Sequence, residues 1–313
     1  MKILFTGGSS FTGYWFIREL AAAGHEVVAV LRKKVDEYDG IRKQRVAALA
    51  SQCKLVTECS FGDGQFLELI EQEDHWDVLC HHAADVSNYK SEDFDIVGAL
   101  ANNTRNLSSI LQLMKQKGCT RIALTGSVFE QGEGAGNGEM NAFSPYGLSK
   151  GLTFDIFRYQ AMHHGFHLGK FVIPNPFGPY EEPRFTTYLA RCWYNQEVAK
   201  VSTPAYVRDN IHVSLLAKTY KQFVEGLPLA LAGFSRLNPS GYSESQGAFA
   251  LRFAAELRKR LDLACEVELL KQTSFPEPGV RINTDIPNIE ALGWDESNAW
   301  DELAEYYRKT FDK

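Results

Sequence analysis

Tyr146 and Lys150 stand four residues apart in Tyr-Gly-Leu-Ser-Lys, so on a helix they share one face and the ammonium lies near the phenol. A free tyrosine titrates at about pH 10; an adjacent cation favours the phenolate and brings that value down. Far upstream, Thr6-Gly-Gly-Ser-Ser-Phe-Thr-Gly13 follows a short apolar run and opens an amphipathic stretch. Such a turn presents backbone N–H groups to a pyrophosphate at a helix N-terminus. Neither motif is decisive alone. Together they predict a nicotinamide dinucleotide held beside a tuned proton donor, which carbonyl reduction or alcohol oxidation requires.

The elements that must position these groups follow from the apolar rhythm of the first half, where short apolar runs alternate with amphipathic stretches. That alternation predicts an α/β fold with a doubly wound parallel sheet. Strands are expected at 3–6, 26–31, 54–57, 78–82, 121–125 and 168–173, and helices at 11–23, 66–73, 94–117 and 145–164. Gly24 and Gly165 sit where helix C-terminal caps belong. Pro174, Pro176, Pro179 and Pro183 then break the rhythm and predict a long ordered loop. The remainder mixes helices near 212–225, 245–260 and 300–311 with short strands. A dinucleotide-binding domain over 1–175, rejoined by about 210–233, and a smaller mixed α/β substrate-binding domain over 176–313 are therefore expected.

Within the glycine turn, Gly7, Ser10 and Gly13 take the three places of the dinucleotide fingerprint, with Ser10 in the central one. Ser10 sets a Cβ where bare backbone usually approaches phosphate, so it either alters the fit or offers a hydroxyl. About 20 residues on, NAD enzymes carry an acid for the ribose 2′-hydroxyl, whereas a nearby Arg accepts a 2′-phosphate. Here Leu31 stands at that place, followed by Arg32-Lys33-Lys34. NADP(H) is the expected cofactor, with NAD(H) the alternative, and a solvated basic loop is the plainer reading of the run.

The chain resembles the extended short-chain dehydrogenase/reductase family, in particular its nucleotide-sugar branch of epimerases, dehydratases and ketoreductases. Asp77-Val-Leu-Cys-His-His-Ala-Ala84 is similar to that family's fourth strand, whose alanines pass beneath the cofactor. Thr125-Gly-Ser-Val-Phe129 resembles the segment whose first hydroxyl bonds the reacting oxygen, and Tyr146 and Lys150 match the catalytic pair. Asn175-Pro-Phe-Gly-Pro179 is similar to the loop leading into the substrate domain, and Arg208-Asp-Asn-Ile-His-Val213 to the segment whose arginine binds a sugar-nucleotide pyrophosphate. Leu292-Gly-Trp294 resembles a recurrent C-terminal feature.

The resemblance implies catalysis by Thr125, Tyr146 and Lys150. It implies cofactor contacts from Gly7, Ser9, Ser10, Phe11, Gly13, Arg32, Ala83, Ala84, Tyr146, Lys150 and Pro174, and substrate contacts from Ser127, Asn175 and Arg208. Ser127 is the alternative active hydroxyl. The implied activity is NADPH-dependent reduction of a keto group, at C4, on a nucleotide-diphosphate deoxysugar. A 4-epimerase is the runner-up, followed by a reductase of non-sugar ketones or a non-catalytic cofactor-binding regulator. A homodimer through the helices near 94–117 and 145–164 is implied as well.

Two departures stand out. Leu100-Ala-Asn-Asn-Thr-Arg-Asn106 lacks the family's Asn at its first place and Gly at its fourth. The 4,6-dehydratases carry Asp-Glu after the active Thr, where this chain has Gly126 and Ser127, so the acid and base for dehydration are missing.

Composition sets the outer bounds. In 313 residues, 44% hydrophobic and 23% charged with a formal net charge of −6, nothing points to a nucleic-acid or membrane partner. Six scattered cysteines show neither a zinc spacing nor a C-x-x-C pair and read as reduced thiols, with no metal expected. His81-His82 reads as packing or cofactor-site residues rather than metal ligands, and His163, His164 and His167 as residues around a helix end. Phe185, Tyr188 and Trp193 suit a helix core or a base-binding pocket equally. Met1-Lys-Ile-Leu-Phe runs straight into the glycine turn, leaving no room for a signal peptide, and no apolar run has membrane length; a cytoplasmic protein is expected.

Overall fold

Ile3, Leu4 and Phe5 are fully buried, as a parallel strand covered on both faces demands. The computed structural model describes residues 1–312 apart from Ser87, Ala230, Leu231, Phe275 and Pro276. Two of these fall in the 210–233 stretch and lie outside the described residues. In chain order the elements begin β1 (Lys2–Thr6), α1 (Phe11–Ala22), β2 (Glu26–Val30), α2 (Gly40–Leu49), β3 (Lys54–Val56), α3 (Gly64–Gln72), β4 (Val78–His81), α4 (Ile96–Asn103), α5 (Leu107–Gln116), β5 (Arg121–Ser127), β6 (Ala135–Gly136) and α6 (Pro145–His164). They continue β7 (His167–Ile173), β8 (Asn175–Phe177), α7 (Phe185–Tyr194), β9 (Ala199–Val201), β10 (Val207–His212), α8 (Val213–Glu225), β11 (Gly233–Leu237), β12 (Tyr242–Ser245), α9 (Gln246–Arg258), β13 (Val267–Leu269), β14 (Val280–Ile282) and α10 (Glu296–Phe311).

The described residues form two units. The first comprises residues 1–133, 140–173 and 219–238. Its seven-stranded sheet runs β11-β7-β5-β4-β1-β2-β3, and every pairing is parallel. Helices flank it, giving the expected doubly wound α/β layering. One core joins Leu4, Val28, Leu79 and Ile122 to Phe66, Leu111 and Phe157. Elsewhere in this unit Phe16 stacks on Tyr220 at 3.9 Å, with Phe171 edge-on to both.

The second unit comprises residues 134–139, 174–218 and 239–313. There β12-β10-β14-β6 form a sheet with β8 also on β10, and β9 pairs β13. Its core gathers Phe177, Trp193, Phe249, Phe253, Trp300 and Tyr307. Trp193 thus belongs to that core, with its indole N–H on the Glu266 carbonyl at 2.9 Å.

Two local expectations need correction, and one helix was not expected. The single helix over 94–117 is two helices, because Asn106 adopts a left-handed backbone (φ 52°) and its amide donates to the Gly62 carbonyl at 2.8 Å. Residues 40–49 form α2, in which only Arg45, Val46 and Leu49 are buried, too narrow a stripe for periodicity to show. The proline-rich loop contains β8, and Pro176, which has no N–H to give, sits at an edge where β8 pairs β10 alone.

Candidate active site

The chain leaves β1 for β2 and β3 on one side and returns to β4, β5 and β7 on the other. The loops after β1 and β4 therefore diverge, and in open parallel sheets that is where ligands bind. The glycine turn fills this place. Gly7 has φ +84°, and a Cβ on it would lie 2.8 Å from the Ala83 nitrogen. A Cβ on Gly13 would run into the Gly7 carbonyl oxygen. The turn thus needs glycine at both places, because its backbone packs directly on the segment after β4, and it leads into the N-terminus of α1, where an anion is favoured. Ser10 caps α1, accepting the Gly13 N–H at 3.1 Å. Its hydroxyl also lies 2.9 Å from the Gly7 carbonyl and 3.0 Å from His82 Nε2, so it is engaged within the protein.

Thr6 organises the end of β4. Its hydroxyl oxygen accepts the N–H groups of His82 (3.1 Å) and Ala83 (3.0 Å), which leaves its proton for His81 Nδ1 at 3.0 Å. Ala83 and Ala84 are half-buried beyond it. Buried Asn103, in the place of the family's Gly, accepts the Asp85 N–H at 2.8 Å and so braces the segment that follows the alanines.

Thr125 lies on β5, buried, with Phe171 of β7 as its register partner. Pro145 at the first turn and Ser144 as N-cap start α6, which carries Tyr146 and, one turn later, Lys150. The Lys150 ammonium donates to the Thr125 carbonyl at 2.5 Å, joining two of the three expected catalytic residues. Burial lowers the Lys150 pKa; Glu130 opposes that shift and Lys170 reinforces it. The Tyr146 ring is half-buried, met edge-on by Tyr89 (5.6 Å) and Phe94 (5.9 Å). Ser127 accepts the Phe129 N–H at 3.2 Å. Its own N–H donates to Glu130 at 2.7 Å.

Behind this strand end lies a buried ionic group that the sequence did not suggest. Lys170 sits 2.5 Å from Glu130 and 2.7 Å from Glu133, with its ammonium 3.8 Å from the Phe154 ring centre. Burial raises the Glu130 pKa, and the ammonium groups of Lys170 and Lys150 oppose it.

The remaining expected residues are dispersed. Leu31 is buried against Tyr38 and Val46, and Arg32 and Lys33 are exposed after β2. Lys34 faces Glu58 at 3.7 Å. The Ser9 carbonyl accepts from Arg45 of α2 at 3.2 Å, and the same guanidinium lies 5.8 Å from the Phe11 ring centre. Pro174 is buried; Asn175, half-buried, pairs in register with Asn210. In the second unit Arg208 is buried on β10, bonded to Glu277 at 2.9 Å and stacked on Tyr206 at 4.5 Å. Its register partner on β14 is Arg281, also buried, an arginine that reading the sequence missed. Only strand pairing reveals it. Among the described residues, no group of three or more His, Cys, Asp and Glu is placed to hold a metal ion.

A family model, the NAD dependent epimerase/dehydratase family, matches residues 3–226. No curated protein sequence matches the chain. The structure is similar to UDP-glucose-4-epimerase from Stenotrophomonas maltophila, solved with NAD and formylated UDP-arabinopyranose, at a TM-score of 0.75 and 19% identity over 99% of this chain and 98% of that one. It is similar to UDP-glucuronic acid 4-epimerase from Bacillus cereus (TM-score 0.73, 16% identity, 99% and 100% covered). It is also similar to the dTDP-glucose 4,6-dehydratase of Streptomyces venezuelae, solved with NAD (TM-score 0.70, 17% identity, 99% and 97% covered). At these identities the likeness establishes the fold.

Proposed function

Because the chain belongs to the NAD dependent epimerase/dehydratase family, we propose that it reduces a keto group, at C4, on a nucleotide-activated deoxysugar with NADPH. The observation that supports this reading is the bond from Lys150 to the Thr125 carbonyl, which joins two of the three residues expected to act. A nicotinamide supplies the hydride when bound there. Tyr146 protonates the alkoxide that develops on the substrate, and the Thr125 hydroxyl bonds the same oxygen. Lys150 stabilises the phenolate form of Tyr146. Arg208 and Arg281, side by side in the second unit, are suited to a diphosphate, since charge-assisted bonds from arginine favour that group. On this reading the first unit binds the dinucleotide and the second the sugar nucleotide.

Dehydration is disfavoured by more than the missing acid. A Cβ on Gly126 would lie 2.7 Å from Lys170 Cε and 3.1 Å from Glu130 Oε1, so an aspartate there, as in the 4,6-dehydratases, would have to displace the end of the Lys170 side chain. We infer a homodimer through α4 and α6, whose surfaces expose Val97, Tyr159 and Met162 at 76%, 61% and 70%. Among the described residues no helix is long and apolar enough to cross a membrane.

The choice of NADPH is supported by Leu31, which is buried where an acid would hold a ribose hydroxyl, and by exposed Arg32 beside it. Arg32→Ala is expected to weaken NADPH binding by about 1.5–3 kcal/mol, the worth of a charged hydrogen bond, with little effect on NADH. Titrations of both cofactors check this, and equal losses would reduce the basic run to a solvated loop.

The reductase reading is tested by stoichiometry. NADPH consumed should equal product formed, mole for mole, when purified protein meets a 4-keto sugar nucleotide. Interconversion of two sugars with no change in nicotinamide absorbance, by protein that retains NAD⁺ through purification, would establish the 4-epimerase instead. The solved 4-epimerases of this fold keep that alternative in view.

A further inference from the structure

Lys150 is a buried cation with no carboxylate at its tip. Its ammonium donates to the neutral Thr125 carbonyl at 2.5 Å, and no described carboxylate is in contact with it. A buried ammonium gives up its proton unless a negative charge nearby stabilises it. The proposed chemistry needs that charge beside Tyr146, so something must supply the opposite one.

The strand end provides it. The Glu130 N–H donates back to the Ser127 carbonyl at 3.0 Å, in a tight turn that folds the Glu130 side chain onto the end of β5. There one carboxylate oxygen accepts the Ser127 N–H at 2.7 Å, and the other meets Lys170 at 2.5 Å. Both oxygens face donors, which suits an ionised carboxylate and not a carboxylic acid. Gly126 permits the approach, since a Cβ there would lie 3.1 Å from Glu130 Oε1. The peptides on either side of Gly126 are thus held by charged groups, the Thr125 carbonyl by Lys150 and the Ser127 N–H by Glu130.

The sum of charges agrees. Lys170 stands between Glu130 and Glu133, all three are buried, and together they leave one negative charge unmatched. Arg236 approaches Glu133 at 3.6 Å but is half exposed. Lys150 is the buried cation that brings the group to neutrality.

We propose that Glu130 is a positioning residue: the buried counter-ion that keeps Lys150 charged beside Tyr146, with Lys170 holding its carboxylate against the strand end. This rests on the reading of Lys150 as the cation that supports the Tyr146 phenolate. The other groups in the field of Lys150 do not take that part. Burial lowers the Lys150 pKa and the like charge of Lys170 lowers it further, whereas Glu130 raises it. His81 and His82, at the end of β4 and just beyond it, are neutral, because burial and Lys150 push both down to about 3. Tyr146, one turn back on α6, is the group that Lys150 serves.

Protein labelled with ¹³C at the lysine ε-carbon reports the charge of Lys150 directly, its signal assigned by absence in Lys150→Met. The wild type should hold Lys150 charged at neutral pH. In Glu130→Gln its titration midpoint should fall by about one pH unit or more, the effect of a lost opposite charge. Glu133→Gln is the control. It removes the other partner of Lys170 and should leave the Lys150 midpoint in place, since Glu133 does not act on Lys150. Equal shifts in the two variants, or none in either, would overturn the proposal. A neutral Lys150 in the wild type would do so even if the variants fail to fold.

Turnover gives a second readout. With NADPH and a keto sugar nucleotide, the ratio of wild-type to Glu130→Gln kcat should widen as pH rises through the variant's midpoint, where only the wild type keeps its cation. A ratio constant with pH would reduce Glu130 to structural support and sink the proposal. If the wild type reduces no keto sugar, the function proposed above fails, while the Lys150 titration still decides the role of Glu130.

Discussion

Replacing Tyr146 with phenylalanine is expected to lower turnover by about 10²–10⁴-fold and to leave cofactor affinity within about threefold of the wild type, since a general acid of this kind contributes that much to rate. The ring is held by its faces: Tyr89 and Phe94 meet it edge-on, and neither contact involves the hydroxyl oxygen. Phenylalanine therefore keeps these ring contacts and removes the hydroxyl. Lys150 would keep its bond to the Thr125 carbonyl, so the strand end should not move. Single-turnover kinetics with NADPH and a keto sugar nucleotide, alongside a cofactor titration, separate the two effects. Wild-type turnover in the variant would require another donor, and Ser127 would then be the first to examine.

The second large effect is on stability. Lys170→Met should destabilise the protein by about 3–5 kcal/mol, because removing one member of a buried ionic group leaves the others uncompensated. Glu130 and Glu133 are both buried, and Lys170 is within 2.7 Å of each. Arg236 is 3.6 Å from Glu133 and half exposed, too far into solvent to replace it. Because burial already raises the Glu130 pKa, that carboxyl can take a proton, and the double change Lys170→Met with Glu130→Gln should recover part of the loss. Urea midpoints at constant m-value measure both. A loss of less than about 1 kcal/mol in the single variant would mean that the carboxylates find solvent or protons without cost, contrary to the burial argument.

The parts of this molecule legible in its sequence are those whose signal is local. Gly7 and Gly13 around Ser10, and Tyr146 with Lys150, each lie within one turn or one helix, where residue type and spacing carry the whole message. The alternation of apolar runs likewise named the seven-stranded architecture's first six strands. What escaped has long-range causes. His82 looks like half of a histidine pair, and its partners Ser10, Thr12 and Thr125 meet it only because β1, β4 and β5 lie side by side. Arg281 acquires meaning from its register with Arg208, and Lys170 from two glutamates some 40 residues upstream, 37 in the case of Glu133. The break at Asn106 was hidden because asparagine is an ordinary helix-surface residue until its side chain finds the Gly62 carbonyl.

Gly126 has a historical consequence. An aspartate there would run into Lys170 and Glu130, and Lys170 is itself what keeps two buried carboxylates in place. A lineage that began from this chain would acquire the dehydratase's acid only with a shift of the Lys170 side chain. Removing Lys170 first would produce an unstable ancestor, and adding the aspartate first a strained one. The ionic group behind the strand thus acts as a ratchet, holding the descendants of this sequence to chemistry that needs no carboxylate beside Thr125.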